Sequence, residues 1–477
     1  MTSRKVLQLK VIGLAVSAAV GGFLFGFDSS VINGAVNAVE SQFELSPTVT
    51  GFAVASALLG CAVGAYLAGR IADRYGRRTT MLVGATMFLI SALGTGWAFA
   101  VWDLVLWRIV GGLGIGIASV VAPMYIAEIS PKLIRGRLAS LQQLAITLGI
   151  FAALLSDALF ANSAGGAGEP FWFGWEAWRW MFLAGAVPAV VYGVLALRLP
   201  ESPRYLMQKG RDEEAQKIFA SLWPAEDVTK AVREIRIAIS EEIKTRNAKL
   251  TGGRLGLLPI VWIGIALSMF QQFVGINVIF YYSTTLWRSV GFQESDSLFI
   301  SVVTSIINVA VTVVAILLVD RVGRRPILLA GSIGMAVTLG TMALAFSNAG
   351  EVNGEVALTG AWGPIALVAA NVFVISFGVS WGPLVWVLLG EIFPNRIRAK
   401  ALGVAAMAQW ISNFAITVSF PVLADMSLTV TYGLYALFAL LSFVFVYFKI
   451  PETNGMSLEE AETLFTRPVR RKAAQQQ

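Results

Sequence analysis

The residues best suited to chemistry lie in the stretch 270–283, FQQFVGINVIFYYS. It is apolar enough to belong to a membrane-spanning segment, yet it carries neutral polar side chains at Gln271, Gln272, Asn277, Tyr281 and Tyr282. An amide in hydrocarbon is costly unless it faces a partner, a cavity or a ligand. The stretch therefore indicates either hydrogen bonds between neighbouring helices or a ligand-binding site.

The position of a glycine inside this stretch favours the binding site. On a straight α-helix, at about 100° per residue, Gln272 and Asn277 would point to nearly opposite sides. Gly275 lies between them and is the natural place for the helix to unwind. Discontinuous helices near the membrane midplane direct polar groups at a substrate in many transporters. We expect a break at Gly275 with a site beside it.

A second candidate is an acid–base pair inside predicted spans. Asp28 and Arg108 are the ionisable residues that the sequence places deep in the membrane. Burial disfavours the charged form of Asp28, whereas a neighbouring Arg108 favours it. A carboxyl group balanced in this way can change its protonation when helices move, so the pair predicts proton coupling. The alternative is a permanent structural ion pair. The chain contains no histidine, so proton chemistry must fall on a carboxylate.

The composition places these residues in a membrane. Of the 477 residues, 56% are hydrophobic and 14% are charged, whereas soluble domains carry about 25% charged residues. The charges separate apolar runs that are each long enough to span a bilayer, at about 20 residues. The composition predicts an all-α polytopic membrane protein that does not bind nucleic acid. The single Cys61 excludes an intrachain disulfide, and no metal site or cofactor motif is expected. The glycine-rich GGLGIG at 111–116 lies within a span and indicates helix packing.

The elements that must position the candidates are twelve predicted spans, at residues 10–37, 50–74, 79–101, 103–129, 137–160, 178–198, 257–287, 298–320, 326–347, 363–390, 399–422 and 430–449. Basic residues are concentrated in alternate loops, the same set that contains both termini. The positive-inside rule then predicts that both termini are cytoplasmic.

The chain repeats itself. GRIADRYGRR at 69–78 returns as LLVDRVGRRP at 317–326, and EISPKLIRGR at 128–137 returns as EIFPNRIRAK at 391–400. The repeat predicts two parallel six-helix halves with a substrate site between them. We expect a first half at 1–199, a cytoplasmic linker with short helices at 200–256, a second half at 257–450 and a cytoplasmic tail at 451–477. The repeat also places Asp28 opposite Asn277 and Gln143 opposite Gln409.

The charged loops predict a cytoplasmic gate, because acidic and basic residues recur in fixed register in both halves. The alternative is that the basic residues only set the topology. The expected gate residues are Asp73, Arg74, Arg77, Arg78, Glu128, Arg135, Glu201, Arg204, Asp320, Arg321, Arg325, Glu391, Arg398 and Glu452.

Several motifs together resemble the sugar porter branch of the major facilitator superfamily: PESPRYL at 200–206, the paired DRxGRR loops, QQFVGIN at 271–277, SWGPLVW at 380–386 and PET at 451–453. The resemblance is nearest to bacterial glucose permeases and proton-coupled sugar symporters. It implies a twelve-helix fold with alternating access. It also implies hexose contacts at Gln143, Gln271, Gln272, Asn277, Asn308, Trp386, Gln409 and Trp410, to which the polar stretch adds Tyr281. Amides match the hydroxyls of a sugar as donors and acceptors, and aromatic rings stack on its CH faces.

The sequence as a whole predicts a proton-coupled hexose importer, with D-glucose as the expected sugar. Its expected partners are the sugar, a proton and the lipid bilayer, and it is expected to be a monomer without a cofactor and not an enzyme. One alternative is a facilitator that moves the same sugar without protons. Another is a membrane sensor that binds sugar without transporting it. Some xylose symporters carry an acid in the sixth span where this chain has Gly185, which leaves Asp28 as the coupling candidate.

Overall fold

The structure is a computed structural model that describes residues 3–131, 134–245, 250–252, 256–352, 355–394 and 397–453. The side chains of three predicted gate residues, Arg135, Asp320 and Arg321, lie outside its described part.

The first half consists of long helices joined by short loops. They are α1 (Ser3–Gln42), α2 (Pro47–Tyr75), α3 (Arg77–Gly96), α4 (Val101–Ile129), α5 (Arg135–Ala164), α6 (Ala177–Ala184) and α7 (Ala186–Arg198). Proline occupies the first position of α2, where its missing N–H costs no helical hydrogen bond. The turn between α2 and α3 is made by Gly76, whose φ of 93° suits a residue without a Cβ.

The linker forms three short helices, α8 (Pro203–Gln208), α9 (Asp212–Leu222) and α10 (Ala225–Thr245). The acidic first turn of α9 suits the positive end of the helix dipole. The indole Nε1 of Trp223 donates to the carbonyl of Ile129 at 3.0 Å, which fastens the linker to the end of α4.

The second half repeats this plan with more interruptions. Its helices are α11 (Pro259–Phe273), α12 (Ile276–Tyr281), α13 (Ser283–Arg288), α14 (Glu294–Val322), α15 (Arg324–Ser347), α16 (Trp362–Val379), α17 (Trp381–Ile392), α18 (Arg398–Met426) and α19 (Leu428–Lys449). A small antiparallel hairpin, β1 (Gly350–Val352) and β2 (Glu355–Ala357), follows α15. The hairpin is the one departure from the expected all-α fold in the described ranges, and it lies between two spans.

The described helices include twelve segments that are long and apolar enough to cross a membrane, which confirms the predicted number. Glycines allow the spans to pack closely, as the sequence GGLGIG predicted. A Cβ at Gly112 would lie 1.9 Å from the carbonyl oxygen of Ala57, so α4 and α2 touch backbone to backbone there. We call the helix ends that carry the two DRxGRR motifs the basic face, and the other ends the opposite face.

Candidate functional site

The helix break predicted in the polar stretch is confirmed. Helix α11 ends at Phe273 and α12 begins at Ile276, with Gly275 between them in the left-handed region at φ 80°. A Cβ at Gly275 would also lie 2.7 Å from the ring of Tyr435. Both the backbone conformation and the neighbouring ring therefore require glycine.

The break brings together two amides that a straight helix would keep apart. Nδ2 of Asn277 donates to Oε1 of Gln272 at 2.6 Å. The Gln272 side chain is buried and that of Asn277 is half-buried. The pair forms a fixed polar surface beside the break, with further donor and acceptor positions left for a ligand.

Gln271 links this break to a second one in the same half. Its Nε2 donates to the carbonyl oxygens of Trp381 at 2.9 Å and Gly382 at 3.1 Å, just after the chain breaks between α16 and α17 at Ser380. Its Oε1 is buried and has no hydrogen-bond partner in the described part of the chain. A buried acceptor without a partner marks a place where a ligand hydroxyl would be favourable.

The remaining predicted sugar contacts lie on four helices. Gln143 is half-buried on α5, Asn308 is buried on α14, and Gln409 is half-buried on α18 with an Oε1 that has no described hydrogen-bond partner. Trp386 on α17 is 43% exposed. The ring of Trp410 lies 5.7 Å from that of Phe25 and joins α18 to α1 across the two halves. We call Gln271, Gln272 and Asn277 the amide cluster. Within its described ranges, the structure shows no side-chain hydrogen bond between this cluster and Gln143 or Trp386. Sugar binding by Gln143 and Trp386 therefore stays a prediction.

A small cavity lies where the halves meet. It is lined by Phe25, Asp28, Cys61, Arg108 and Tyr281, among others. Tyr281 is buried, and its hydroxyl lies near Ser29 of α1 and Asn413 of α18. Tyr281 follows Asn277 by one helical turn on α12, so this short helix carries a residue of the cavity and one member of the amide pair.

Asp28 and Arg108 meet in this cavity, as predicted. Nη1 of Arg108 lies 3.6 Å from Oδ2 of Asp28, and both side chains are buried. The guanidinium is held by backbone carbonyls, since it also donates to the carbonyl oxygens of Asp28 at 3.1 Å and Val54 at 3.3 Å. Oδ2 of Asp28 has no hydrogen-bond partner among the described residues. The cation is therefore fixed by the backbone, while the carboxylate keeps an oxygen that can take a proton.

Asp28 and Arg108 are not the only buried ionisable residues of the described spans. Asp157 of α5 is 0% exposed, and Asp103 near the start of α4 is 7% exposed. Asp103 accepts the N–H of Phe99 and stabilises the start of its helix. The signal for Asp157 was available as a lone acid in the apolar run IFAALLSDALFA at 150–161. It was missed because it lies close to the predicted end of the span.

The predicted gate residues of the first half form a cluster at the basic face. Arg77 donates from Nε and Nη2 to both oxygens of Glu128, at 3.0 and 2.9 Å. Oε1 of Glu201 accepts the backbone N–H of Arg77 at 2.8 Å and so caps the start of α3. Ser202 donates to Glu128 and completes the cluster. Arg78 reaches the carbonyl of Leu197 at 2.7 Å. Asp73 is mostly exposed and lies 3.3 Å from Arg77.

The second half repeats the cluster almost contact for contact. Arg324 binds Glu391 at 3.0 Å, and Thr453 Oγ1 donates to the same carboxylate at 2.7 Å. Glu452 accepts the backbone N–H groups of Arg324 and Arg325, at 2.9 and 3.1 Å. Arg324 was not among the predicted gate residues, although the repeat equates it with Arg77.

Arg398, another predicted gate residue, contacts the backbone at the basic face. Its Nε donates to the carbonyl oxygen of Phe393 at 3.1 Å, which bridges the ends of α17 and α18. Arg74 lies with its guanidinium 5.2 Å from the ring of Tyr75, and Arg204 is half-buried in α8. The clusters built on Glu128 and Glu391 each join elements of one repeat, including the PES or PET motif that follows it.

At the opposite face, hydrogen bonds join the two halves directly. Asn33 of α1 donates from Nδ2 to Ser301 Oγ at 3.2 Å and accepts the N–H of Thr284 at 2.9 Å. Oε1 of Glu294 accepts the N–H of Ala167 at 2.8 Å. We call this set the opposite-face latch. It was not predicted, although polar Asn33 near the end of a span was its visible signal.

Comparison with known proteins agrees with this architecture. The family described as "Sugar (and other) transporter" matches residues 14–465. The chain belongs to this family. It is 55% identical over 447 residues to a protein named "Glucose transport protein" from Synechocystis sp., covering 93% of this chain and 95% of that one. It is 36% identical to the "D-xylose-proton symporter" of Escherichia coli, covering 95% and 96%.

Solved structures of the sugar transporter family have the same fold. The inward-open conformation of the xylose transporter XylE from E. coli has a TM-score of 0.80 at 34% identity and covers 95% of this chain and 99% of that one. XylE bound to 6-bromo-6-deoxy-D-glucose has a TM-score of 0.78 at 35% identity, with coverage of 95% and 99%. The chain is a transporter with the twelve-helix major facilitator fold, and not an enzyme.

Proposed function

We propose that this protein imports a hexose, D-glucose, together with a proton by alternating access. The observation that carries the proposal is the cavity in which Asp28 and Arg108 meet Tyr281. Tyr281 belongs to the short helix that begins at the Gly275 break and bears Asn277. A change of charge at Asp28 therefore acts on the helix that presents an amide to the sugar.

The chemistry of the amide cluster suits a sugar. A hexose offers hydroxyl groups that donate and accept at once, and Gln271, Gln272 and Asn277 can meet both needs without a charge. The unpartnered Oε1 of Gln271 would accept one of these hydroxyls. We propose Trp386 and Trp410 as rings for the CH faces of the sugar. The names of the relatives, one for glucose and one for xylose with a proton, support the same substrate class.

The proton cycle follows from the geometry around Arg108. When Asp28 carries a proton it is neutral, and only backbone carbonyls then hold the guanidinium. When the proton leaves, the carboxylate and the cation attract each other in a site of low dielectric, which draws α1 toward α4. The two protonation states thus favour different helix arrangements, as coupling of a proton to a conformational change requires.

The opposite-face latch and the clusters at the basic face lie at the two entrances that must open in turn during alternating access. We propose that the basic face is cytoplasmic, with both termini on that side, because the positive charges lie there. The opposite-face latch then closes the outer entrance in the present state. We also propose that the protein is a monomer. Its chain would divide into a first half, a linker, a second half and a tail, at residues 1–199, 200–256, 257–450 and 451–477.

The test is uptake of labelled glucose by the purified protein in liposomes, with and without an imposed proton gradient. Accumulation above the external concentration only when a gradient is present supports symport. Equilibration to equal concentrations under both conditions would instead support an uncoupled facilitator. The sixth span has Gly185, and not an acidic residue, at the bend between α6 and α7. This position therefore offers no carboxylate for proton coupling, which favours the uncoupled facilitator.

A further inference from the structure

Asp157 is a buried carboxyl group that the proposed transport cycle does not use. Its side chain is fully buried in α5. Oδ2 accepts the backbone N–H of Gly34 in α1 at 3.2 Å. Oδ1 is buried and has no hydrogen-bond partner among the described residues. An acid in this position has one oxygen engaged and one available.

No ion pair to a basic residue is described for Asp157. Helices α1, α4, α6 and α14 pack against α5. The charged groups that these helices bear near the site have partners elsewhere. On α1 and α4, Asp28 faces Arg108 and Asp103 accepts from Phe99. At the outer ends, Glu40 faces Arg288, Arg179 binds Glu176, and Glu294 binds Ala167 and Arg288. A negative charge on Asp157 would lack compensation, so the neutral acid fits this site.

The hydrogen bond of Asp157 lies directly beside the opposite-face latch. Its donor Gly34 follows Asn33, whose side chain binds both Ser301 and Thr284 of the second half. A Cβ at Gly34 would lie 2.5 Å from the Cβ of Asp157, so α1 and α5 touch here without intervening space. A single residue, Gly34, therefore connects Asp157 to the latch. A change in the charge or hydration of Asp157 would act on the latch through it.

We propose that Asp157 is a second proton-binding residue, which holds a proton while the outer face is closed and releases it to the outside when that face opens. The inference rests on the orientation given under the proposed function. In the closed state the free oxygen carries the proton as a neutral acid. Opening admits water, which stabilises the carboxylate. Because the proton returns from the same side, Asp157 changes how readily the outer face opens and not the number of protons transported.

The decisive variant is Asp157→Asn, which keeps an acceptor for the N–H of Gly34 but cannot lose a proton. Outer opening is read from a cysteine at Ser305 in a Cys61→Ala background. Ser305 is fully buried on α14 and lies one helical turn below Ser301, on the same side of the helix. A membrane-impermeant maleimide applied to right-side-out vesicles reaches it only after the latch opens.

The measured quantity is the labelling rate of the reporter in the protein that keeps Asp157, divided by the rate in the Asp157→Asn variant. Both proteins carry the same cysteine, so the pH dependence of the thiol cancels. We expect the ratio to rise several-fold from acidic to alkaline external pH. A ratio that stays constant with pH would mean that Asp157 is only a structural acceptor for α1. Should Asp157→Asn fail to fold, Asp157→Ser serves in the same comparison.

Infrared spectroscopy gives a second, independent readout. The wild-type protein should show a protonated carboxyl band that is lost in Asp157→Asn and kept in the matched control Asp103→Asn. Absence of any band that depends on Asp157 would overturn the proposal. Neither measurement uses a sugar, and the vesicles are equilibrated to the same pH inside and outside before labelling, so no proton gradient is present. A wild-type protein that fails to accumulate glucose would thus refute proton coupling and leave these results unchanged.

Discussion

Asparagine in place of Asp28 separates coupling from binding, because the structure holds Arg108 in place without the carboxylate. Nη1 donates to the backbone carbonyl of Asp28 at 3.1 Å, and this contact survives the substitution. The side-chain contact at 3.6 Å is longer than a hydrogen bond, so the position of Arg108 in the folded protein does not depend on it alone. We expect Asp28→Asn to fold, to bind glucose and to exchange it.

The expected loss is the whole of the accumulation. One carboxyl group that carries one proton per sugar converts each pH unit into about 1.4 kcal/mol, or about tenfold accumulation. With an external pH one unit below the internal pH, wild-type vesicles should therefore concentrate glucose about tenfold. Asp28→Asn vesicles should reach equal concentrations inside and outside, because the amide neither gains nor loses a proton in this pH range.

The assay compares glucose counterflow with gradient-driven uptake in the same vesicles. Asp103→Asn is the matched control, since Asp103 is also a buried acid of the first half but binds the N–H of Phe99. It should accumulate glucose as the wild type does. Accumulation by Asp28→Asn would refute Asp28 as the coupling residue. A wild type that never concentrates glucose would refute symport altogether.

Three further predictions test the site and the clusters. Gln272→Ala should weaken glucose binding by about 0.5–1.5 kcal/mol, measured by calorimetric titration, and an unchanged Kd would remove it from the site. Gly275→Ala should lower both Tm and glucose affinity, because φ is 80° there and the new Cβ meets Tyr435 at 2.7 Å. Glu128→Gln should lower Tm more than Glu391→Gln does, since the Arg77–Glu128 side chains are 3% and 7% exposed and the Arg324–Glu391 pair 11% and 26%. Equal losses would contradict that reasoning.

Most of the fold could be predicted from the hydrophobic runs and the positions of glycines. The twelve spans are long apolar segments, and a bilayer leaves a helix as the simplest way to satisfy their backbone groups. The break at Gly275 was predictable because two amides five residues apart cannot share one side of a straight helix. Helix α9 illustrates a second local signal, since its apolar residues Ala215, Phe219 and Leu222 recur at helical spacing.

The contacts that the sequence did not predict are those between residues that lie far apart in the chain. The pairing of Glu391 with Arg324 depends on where the ends of α15 and α17 meet, which spacing along the chain does not specify. The opposite-face latch joins residues of the two halves, such as Asn33 and Ser301. Which face of a span looks toward its neighbours is also hidden, because a lipid-facing and a buried surface are both apolar.

The repeat explains why proton and sugar chemistry can be separated in one site. The alignment that equates Gly26 with Gly275 places Asp28 opposite Asn277, so one half offers an ionisable group where the other offers a neutral amide. The carboxylate needs a cation and has Arg108. The amide needs a hydrogen-bond partner and has Gln272, which the break brings within reach. Tyr281 lies on the same helix as Asn277 and lines the cavity that contains Asp28. Each group has its partner inside its own half, and Tyr281 is the contact through which a movement of one half relative to the other would connect them.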